Sequence, residues 1–191
     1  MLKLLILVTL SSSIKLMVKL IIKKKIRDFN KIIKVDGDKS LSIRSLLIGS
    51  QSFGKSIIYN LPKSEDVLST VNGLKKLGVN LISKNNKCLI YGAGLNSFNF
   101  KKGITINAGN SGTFARLLLG LLIKSPYEIK IFGDKSLSKR DFLRVISPLE
   151  KFGAKFKPNR KKKLPLKILG SDFLKPIDYF ENRGSAQCKS A

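Results

Sequence analysis

The predicted order of strands and helices occurs twice along this chain. Hydrophobic periodicity predicts strand, helix, strand, helix and two further strands over about residues 30–103, and the same order over about residues 104–178. The copies also align in sequence, since RSLLIG beginning at Arg44 matches RLLLGL beginning at Arg116, 72 positions later. Alternating strands and helices favour the α/β class, and a repeated unit predicts a fold built from copies packed side by side.

A third copy begins close to the end of the chain. GSAQCKSA starts at Gly184, 75 positions after GNSGTFAR starts at Gly109, and the chain stops inside what should be a helix. We therefore expect an incomplete third unit. The predicted division is an extension of uncertain role over residues 1–29 and one partial domain over residues 30–191, with units at about 30–103, 104–178 and 179–191.

Each copy contains two predicted helices and four predicted strands. In the first copy, the helices are at residues 40–49 and 64–78, and the strands are at residues 31–35, 56–60, 79–83 and 87–92. In the second copy, the helices are at residues 111–123 and 138–153, and the strands are at residues 103–109, 127–133, 154–158 and 164–170, with a solvated turn at 159–163. The helix at 64–78 has Ser64 as its N-cap and Gly78 as its stop signal.

Two nearly identical octapeptides lie 96 positions apart, GDKSLSIR beginning at Gly37 and GDKSLSKR beginning at Gly133. The first opens a unit, where its counterparts are GNSGTFAR and GSAQCKSA. The second follows a later strand of the second unit, in the place that NLPKSEDV has in the first. Their common spelling therefore indicates similar local chemistry and does not mark the repeat.

The net charge of +25 raises the question of a polyanionic partner. The cations are 30 lysines and 7 arginines, and the lysines are spread along the whole chain. We interpret most of them as solvated surface residues. We expect no nucleic-acid partner, because no zinc-finger spacing or aromatic RNA-binding strand accompanies the charge. A basic cleft for small anions is the alternative use of these cations.

Histidine and cysteine usage excludes several kinds of site. The chain has no His, so it has no histidine triad and no histidine metal site. Cys88 and Cys188 form no CxxC pair and predict neither a disulfide framework nor a zinc site. We expect two free thiols, no metal and a reducing, cytoplasmic compartment.

The first 25 residues differ from the rest of the chain. A short apolar run at 4–10 is followed by three serines and by a second run that Lys15 and Lys19 interrupt, so neither run predicts a membrane span. We interpret the segment as an extension or an upstream start. A targeting segment and a membrane-surface helix are the alternatives. We do not expect a membrane partner.

Each unit opens with a glycine-led loop that runs into a helix. Such a loop presents free backbone N–H groups and the positive end of a helix dipole, which together favour an anion. The polar residues of the three loops are Lys39 and Ser40, then Asn110, Ser111 and Thr113, then Ser185 and Gln187. If the units pack side by side, these helix starts share one rim, which predicts a site for a ligand with several negative groups.

Four segments together resemble a known family. The chain contains, in this order, GDKSLSIRSLLIGSQSFGKSIIYNLPKSEDVLSTVNGLKKLG, NAGNSGTFARLLLGLL, GDKSLSKRDFLRVISPLEKFGA and GSAQCKSA. Their order and spacing resemble the 5-enolpyruvylshikimate-3-phosphate synthase family, over about residues 30–191. The resemblance implies a domain in which βαβαββ units form an inside-out α/β barrel, with helices inside and a substrate cleft between two such domains.

The resemblance also implies an activity. This family transfers the carboxyvinyl group of phosphoenolpyruvate to shikimate 3-phosphate, releases phosphate and uses no cofactor. Its members belong to the shikimate pathway, which leads to chorismate and aromatic amino acids. Its acid–base carboxylates lie beyond the end of this chain, so we expect the missing C-terminal half as a partner and no turnover by the chain alone.

Substrate-binding residues carry over at matching positions. Lys39 would contact both substrates, while Ser40 and Arg44 would hold shikimate 3-phosphate. Gly112 would let the backbone approach phosphoenolpyruvate, and Arg140 would pair with its anionic groups. The remaining two implied residues are Ser185, on the shikimate phosphate, and Gln187, between the substrates.

Three positions depart from the family pattern. Asp36 and Asp141 stand where proline is usual, and Ile43 stands where a polar residue is usual. The two carboxylates put negative charge near Lys39 and Arg140, which bears on substrate affinity. Two alternatives stay open, namely a catalytically dead anion-binding or interaction module of the same fold, and a relative of the UDP-N-acetylglucosamine enolpyruvyl transferases.

Overall fold

The computed structural model describes residues 2–10, 14–22, 32, 35–157, 162–182 and 184–191. The chain divides into two compact units, Met1–Val35 and Asp36–Ala191. No helix in these described ranges is long and apolar enough to cross a membrane.

The first unit contains an antiparallel hairpin of two strands, β1 (Leu2–Leu10) and β2 (Ile14–Ile22). The pairing sets Leu2 opposite Ile22, so even positions pair with even positions, and all of them are Leu, Ile or Val. The lysines of these strands fall at odd positions. This alternation has the period of a strand, which explains why the alternative of a membrane-surface helix is wrong for these residues.

The second unit begins with two helices and a three-stranded antiparallel sheet. The elements are α1 (Lys39–Gln51), β3 (Phe53–Ile58), α2 (Glu65–Lys76), β4 (Asn80–Lys84) and β5 (Lys87–Ala93), with the strand order β3-β5-β4. A two-residue turn joins β4 to β5. Both of its residues, Asn85 and Asn86, have positive φ, as a tight hairpin turn requires.

The chain continues with a four-stranded mixed sheet and three more helices. The elements are β6 (Thr105–Asn107), α3 (Gly112–Leu121), β7 (Ile129–Phe132), α4 (Leu143–Phe152), β8 (Lys155–Lys157), β9 (Leu166–Leu169) and α5 (Ala186–Ser190). The strand order is β6-β7-β9-β8, in which β6 and β7 are parallel and the other pairs are antiparallel. The fold of this unit is therefore mixed α/β.

Helix α3 lies at the centre of the second unit. It packs against α1, α2, α4 and α5, and all of its residues except Leu121 are buried. Its sequence is mainly Leu with Gly, Ala and Phe, as expected of a helix that is covered on every side. The N-terminal turn of this helix is the fixed point on which the candidate site is built.

The predicted helix at 138–153 begins later than expected. Residues Leu137–Lys139 form a short 3-10 turn, Arg140 is extended (φ −73, ψ 148), and α4 begins at Leu143. The carboxylate of Asp141 accepts a hydrogen bond from the Leu143 N–H at 2.8 Å. Asp141, one residue before the N-cap Phe142, thus satisfies one of the free N–H groups at the start of α4.

Two further predictions concern segments that the structure describes only in part. In the predicted strand at 31–35, residues 31, 33 and 34 lie outside the described residues, and Ile32 and Val35 belong to no strand. In the predicted solvated turn, residues 159–161 lie outside them. Lys162 is not solvated as expected, because its ammonium pairs with Glu150 and its carbonyl accepts a hydrogen bond from Phe142.

The two GDKSL copies adopt the same local structure. Asp38 accepts a hydrogen bond from the Leu41 N–H at 2.7 Å, and Asp134 accepts one from the Leu137 N–H at 2.6 Å. The first copy continues as the 13-residue helix α1, whereas the second ends after the three-residue 3-10 turn. The common sequence encodes a common helix cap, and the residues after it decide the length of the helix.

Removal of the α1 cap gives a stability prediction. Asp38→Ala is expected to lower the free energy of unfolding by about 1 kcal/mol, because the Leu41 N–H loses its acceptor. Urea denaturation measures the change. Asp36→Ala, two residues earlier on exposed backbone, is the control and should leave the midpoint nearly unchanged. Equal midpoints for Asp38→Ala and the unaltered chain would contradict the capping role.

Candidate functional site

One open polar pocket, of about 490 Å³, lies where several helices begin. The starts of α1, α2, α3 and α5 contribute to its wall, together with the extended residue before α4. The lining residues are Lys39, Glu65, Asp66, Asn110, Gly112, Thr113, Arg140 and Gln187. Helix N-termini carry partial positive charge, so this wall combines their dipoles with two cationic side chains.

The start of α3 is shaped by small residues. Ser111 caps the helix by accepting a hydrogen bond from the Phe114 N–H at 3.2 Å. A Cβ on Gly112 would lie 2.9 Å from Nη1 of Arg116 and 3.2 Å from Nη1 of Arg140. Glycine at this position therefore lets two guanidinium groups approach the helix start.

Lys39 and Arg140 each have a polar partner in the pocket wall. The Lys39 ammonium lies 2.8 Å from Oδ2 of Asp66, and Nη2 of Arg140 donates to Oδ1 of Asn110 at 2.6 Å. Lys39 is 51% exposed, whereas Asp66 is 16% exposed. The lysine therefore remains accessible to a ligand although it is paired.

Arg116 lies behind the pocket and bridges three parts of the chain. Nη1 donates to Oε1 of Gln187 at 2.8 Å, and Nη2 donates to the carbonyl oxygen of Asp141, also at 2.8 Å. Its guanidinium stacks over the ring of Phe142, with 4.7 Å between Cζ and the ring centroid. Gln187 in turn donates through Nε2 to Oγ1 of Thr113 at 3.2 Å.

The surroundings of Arg116 are unusual for a cation. The side chain is only 7% exposed, and its Nε is buried without a hydrogen-bond partner. Burial lowers the pKa of Arg116, and the positive charges of Arg144 and Arg140 lower it further, while Asp141 opposes the shift. Arg116 therefore lies in a closely spaced group of arginines, whose positive charge Asp141 offsets only in part.

Sequence reasoning placed seven residues in the site, and four of them line this pocket. These four are Lys39, Gly112, Arg140 and Gln187. Ser185 lies behind it as the cap of α5, where it accepts a hydrogen bond from the Cys188 N–H at 3.2 Å.

Ser40 and Arg44 do not line this pocket. Arg44 donates to the Ser40 carbonyl and contacts the hydroxyl of Ser190, at 3.4 and 3.5 Å. It lines a second, mainly apolar pocket of about 440 Å³ between α1 and α3, together with Leu47 and Leu117. The structure thus separates Arg44 from Lys39, although both belong to α1.

The seven residues predicted to bind substrate do not include Glu65, Asp66 and Arg116. The two carboxylates lie in the first turn of α2, where negative charge is favourable, and they also line the pocket. A signal for Arg116 was present, because arginine is scarce in this chain and Arg116 follows a unit-opening glycine by seven residues. Its partners on α5 and before α4 are not encoded nearby in sequence.

The departures from the family pattern have local structural explanations. Ile43 is fully buried in the core, so an apolar residue fits its position on α1. Asp141 caps α4, as described above. Asp36 lies on exposed backbone before α1.

The cysteines lie apart from the polar pocket. Cys88 is buried in β5 and Cys188 lies in α5, and both are free thiols. Burial raises the pKa of each thiol. Neither environment favours a reactive thiolate.

Comparison with known proteins decides the family. A family model described as EPSP synthase (3-phosphoshikimate 1-carboxyvinyltransferase) matches residues 23–191. The chain belongs to the EPSP synthase family. A 3-phosphoshikimate 1-carboxyvinyltransferase of Lactococcus lactis subsp. lactis is 44% identical over 160 residues, which are 83% of this chain and 37% of that relative. A second one, from Vesicomyosocius okutanii, is 42% identical over 158 residues, which are 83% of this chain and 36% of that relative.

Solved EPSP synthase structures agree with this assignment. The EPSP synthase of Acinetobacter baumannii matches with a TM-score of 0.77 at 35% identity, covering 83% of this chain and 36% of that structure. The α/β fold of the second unit is therefore that of a segment of EPSP synthase. The chain spans about 37% of the length of the curated relatives that it matches.

Proposed function

We propose that this chain forms part of an enzyme that transfers the carboxyvinyl group of phosphoenolpyruvate to shikimate 3-phosphate. The products are 5-enolpyruvylshikimate 3-phosphate and phosphate, on the route to chorismate and aromatic amino acids. The observation that supports this is the polar pocket, where Lys39, Arg140 and Gln187 meet at the starts of several helices. Two polyanionic substrates need such a wall, since cations and helix dipoles offset their mutual repulsion.

The proposal gives each substrate-binding residue a role. Lys39 would contact both substrates after its ammonium leaves Asp66, and Arg140 would present its guanidinium to phosphoenolpyruvate. Gly112 would leave room for that ligand at the start of α3, and Gln187 would lie between the substrates. Ser40, Arg44 and Ser185 would serve shikimate 3-phosphate.

The finer architecture is part of the same proposal. We infer that the chain consists of βαβαββ units of an inside-out α/β barrel, with the third unit represented by α5. The order β6-α3-β7-α4-β8-β9 supports this unit. The equivalent caps of α1, α3 and α5, formed by Asp38, Ser111 and Ser185, support the repeat.

The remaining half of the enzyme would supply the proton-transferring carboxylates. We therefore expect this chain to bind substrates but to release no phosphate from them by itself. We also expect it to act in the cytoplasm. The UDP-sugar alternative is less favoured, because the matching family model and the two curated relatives described above are 3-phosphoshikimate 1-carboxyvinyltransferases.

Isothermal titration calorimetry with shikimate 3-phosphate and phosphoenolpyruvate tests the function. Lys39→Ala and Arg140→Ala are each expected to weaken binding about tenfold or more, because each removes a charge-assisted hydrogen bond worth about 1.5–3 kcal/mol. Lys84→Ala, on the exposed end of β4, is the matched control and should bind normally.

Two outcomes would count against the proposal. One is a folded chain that binds neither ligand at millimolar concentration. The other is equal weakening by Lys84→Ala and Lys39→Ala, which would indicate attraction by the general positive charge of the surface. The alternative of an anion-binding module without this specificity predicts equal affinity for inorganic phosphate and shikimate 3-phosphate.

A further inference from the structure

We infer that Arg116 is a positioning residue, which holds the side-chain amide of Gln187 and the backbone of the segment before α4 in fixed places beside the pocket. The inference rests on the proposed function, since it concerns residues proposed to bind the substrates. Arg116 itself is not among the residues that line the pocket. Its action is therefore indirect, through Gln187 and Asp141.

The geometry of one guanidinium links the two partners. The terminal nitrogens of Arg116 donate to different segments, Nη1 to Gln187 on α5 and Nη2 to the Asp141 carbonyl, each at 2.8 Å. A guanidinium is planar and rigid, so the two acceptors are held at a fixed distance and angle from each other. Arg140 directly precedes Asp141, and its guanidinium therefore starts from a backbone that Arg116 anchors.

The same contact selects one orientation of the Gln187 amide. Arg116 can only donate, so its partner in Gln187 must be the oxygen Oε1. The Nε2 group then points to Thr113, with 3.2 Å to Oγ1. If the amide were reversed, Nε2 of Gln187 would face Nη1 of Arg116 at 2.8 Å. Both groups are donors, so their repulsion excludes this orientation.

The burial of Arg116 argues against a merely space-filling role. A charged side chain that is 7% exposed has lost most of its water, and this loss opposes folding unless the charge makes good hydrogen bonds. Packing alone would be served by an apolar side chain of similar length. What an apolar residue cannot supply are two donors in one rigid plane, directed at α5 and at the segment before α4.

Nuclear magnetic resonance of the Gln187 side-chain amide tests the positioning directly, without any ligand. In Arg116→Lys and Arg116→Gln, we expect the Gln187 amide protons to shift toward values of a solvated glutamine and to exchange faster with water. Core methyl signals report that the fold is retained. Arg144→Lys is the matched control, since it changes a neighbouring arginine on α4 and should leave the Gln187 signals in place.

Thr113→Val provides a test in which Arg116 is unaltered. Here we expect Gln187 to stay ordered, because Oε1 keeps its donor, with a shift confined to the Nε2 group. If Thr113→Val releases Gln187 to solvent-like signals, Thr113 holds the amide and the inference is overturned. Unchanged Gln187 signals in both folded Arg116 variants overturn it as well.

Ligand affinity is the second measurement. Arg116→Lys and Gln187→Met are each expected to weaken binding of shikimate 3-phosphate about tenfold, and the double variant should be little weaker than either, because both changes remove the same oriented amide. Additive losses overturn the positioning role. Absence of binding by the unaltered chain would contradict the proposed function, while the Gln187 signals would still decide the role of Arg116.

Discussion

Phe114→Ala is expected to lower the free energy of unfolding of the second unit by about 3–5 kcal/mol, because it leaves a large cavity in the centre of the core. The ring of Phe114 is fully buried on α3. It packs directly on α2, where a Cβ added at Gly73 would overlap the end of the ring. The side chain therefore joins the two helices whose first turns supply Gly112 and Asp66 to the pocket.

Urea denaturation followed by circular dichroism measures this loss as a lower midpoint with an unchanged slope. Phe53→Ala is the matched control, since this phenylalanine of β3 is 91% exposed and its removal should change the midpoint little. A loss of 3–5 kcal/mol is a large share of the roughly 5–15 kcal/mol typical of folded proteins. Similar midpoints for the two variants would show that α3 is not the centre of a packed core.

The starts of α3 and α5 follow from the sequence because their caps are local signals. Ser111 and Ser185 precede α3 and α5, and each accepts a hydrogen bond from an N–H three residues later. Such a contact involves only four consecutive residues, so the local sequence is sufficient to predict it. The hairpin of β4 and β5 follows for the same reason, because its turn depends only on two adjacent asparagines.

Helix length is less accessible from local sequence. The two GDKSL copies begin alike, yet one becomes α1 and the other a single 3-10 turn. The difference arises where the second copy ends, since Arg140 is extended and donates to Asn110 across the pocket. That contact joins residues 30 positions apart, and no local pattern encodes it.

The same limit applies to the candidate site. The glycine-led loop predicts Lys39 as a site residue, and Lys39 does line the pocket. Its pairing with Asp66, however, depends on how α1 packs against α2. Arg44 is one helical turn beyond Ser40, and this turn directs its side chain to Ser190 at the other pocket. Sequence spacing predicts which residues share a helix, whereas tertiary packing decides which pocket each one reaches.

The central helix connects these observations. The first turn of α3 supplies Gly112 and Thr113 to the pocket, and its second turn carries Arg116. In its last turn, Gly120 contacts the backbone at the end of α5. Substitutions along α3 should therefore separate stability from binding. A change at Phe114 affects the core, whereas a change at Gly120 affects the docking of α5 and the position of Gln187.

Gly120→Ala is accordingly expected to weaken binding of shikimate 3-phosphate about tenfold or more, and to lower folding stability as far as the lost packing of α5 on α3 exceeds the gain in helix propensity. An added Cβ would overlap the carbonyl oxygen of Ala191 and lie 2.6 Å from its carbonyl carbon. Because these neighbours are backbone atoms of the residue that follows α5, the end of this helix must move away from α3, and we expect the displacement to disturb Gln187 one turn earlier. In α3 itself, alanine is a better helix former than glycine by about 0.5–1 kcal/mol.

Calorimetry measures the affinity, and hydrogen exchange of the Cys188 and Lys189 amides reports whether α5 has left α3. Both amides donate to Ser185 in the docked helix, so we expect faster exchange in Gly120→Ala. Gly49→Ala is the matched control in α1, where the added Cβ would meet no backbone atom but only two side chains, the Cδ1 end of Ile90 at 3.2 Å and the Cβ of Ser56 at 3.5 Å. Normal ligand affinity together with fast amide exchange in α5 would mean that Gln187 contributes nothing to binding. Unchanged amide exchange in α5 would mean that α3 moves to accommodate the added Cβ and that α5 stays in place.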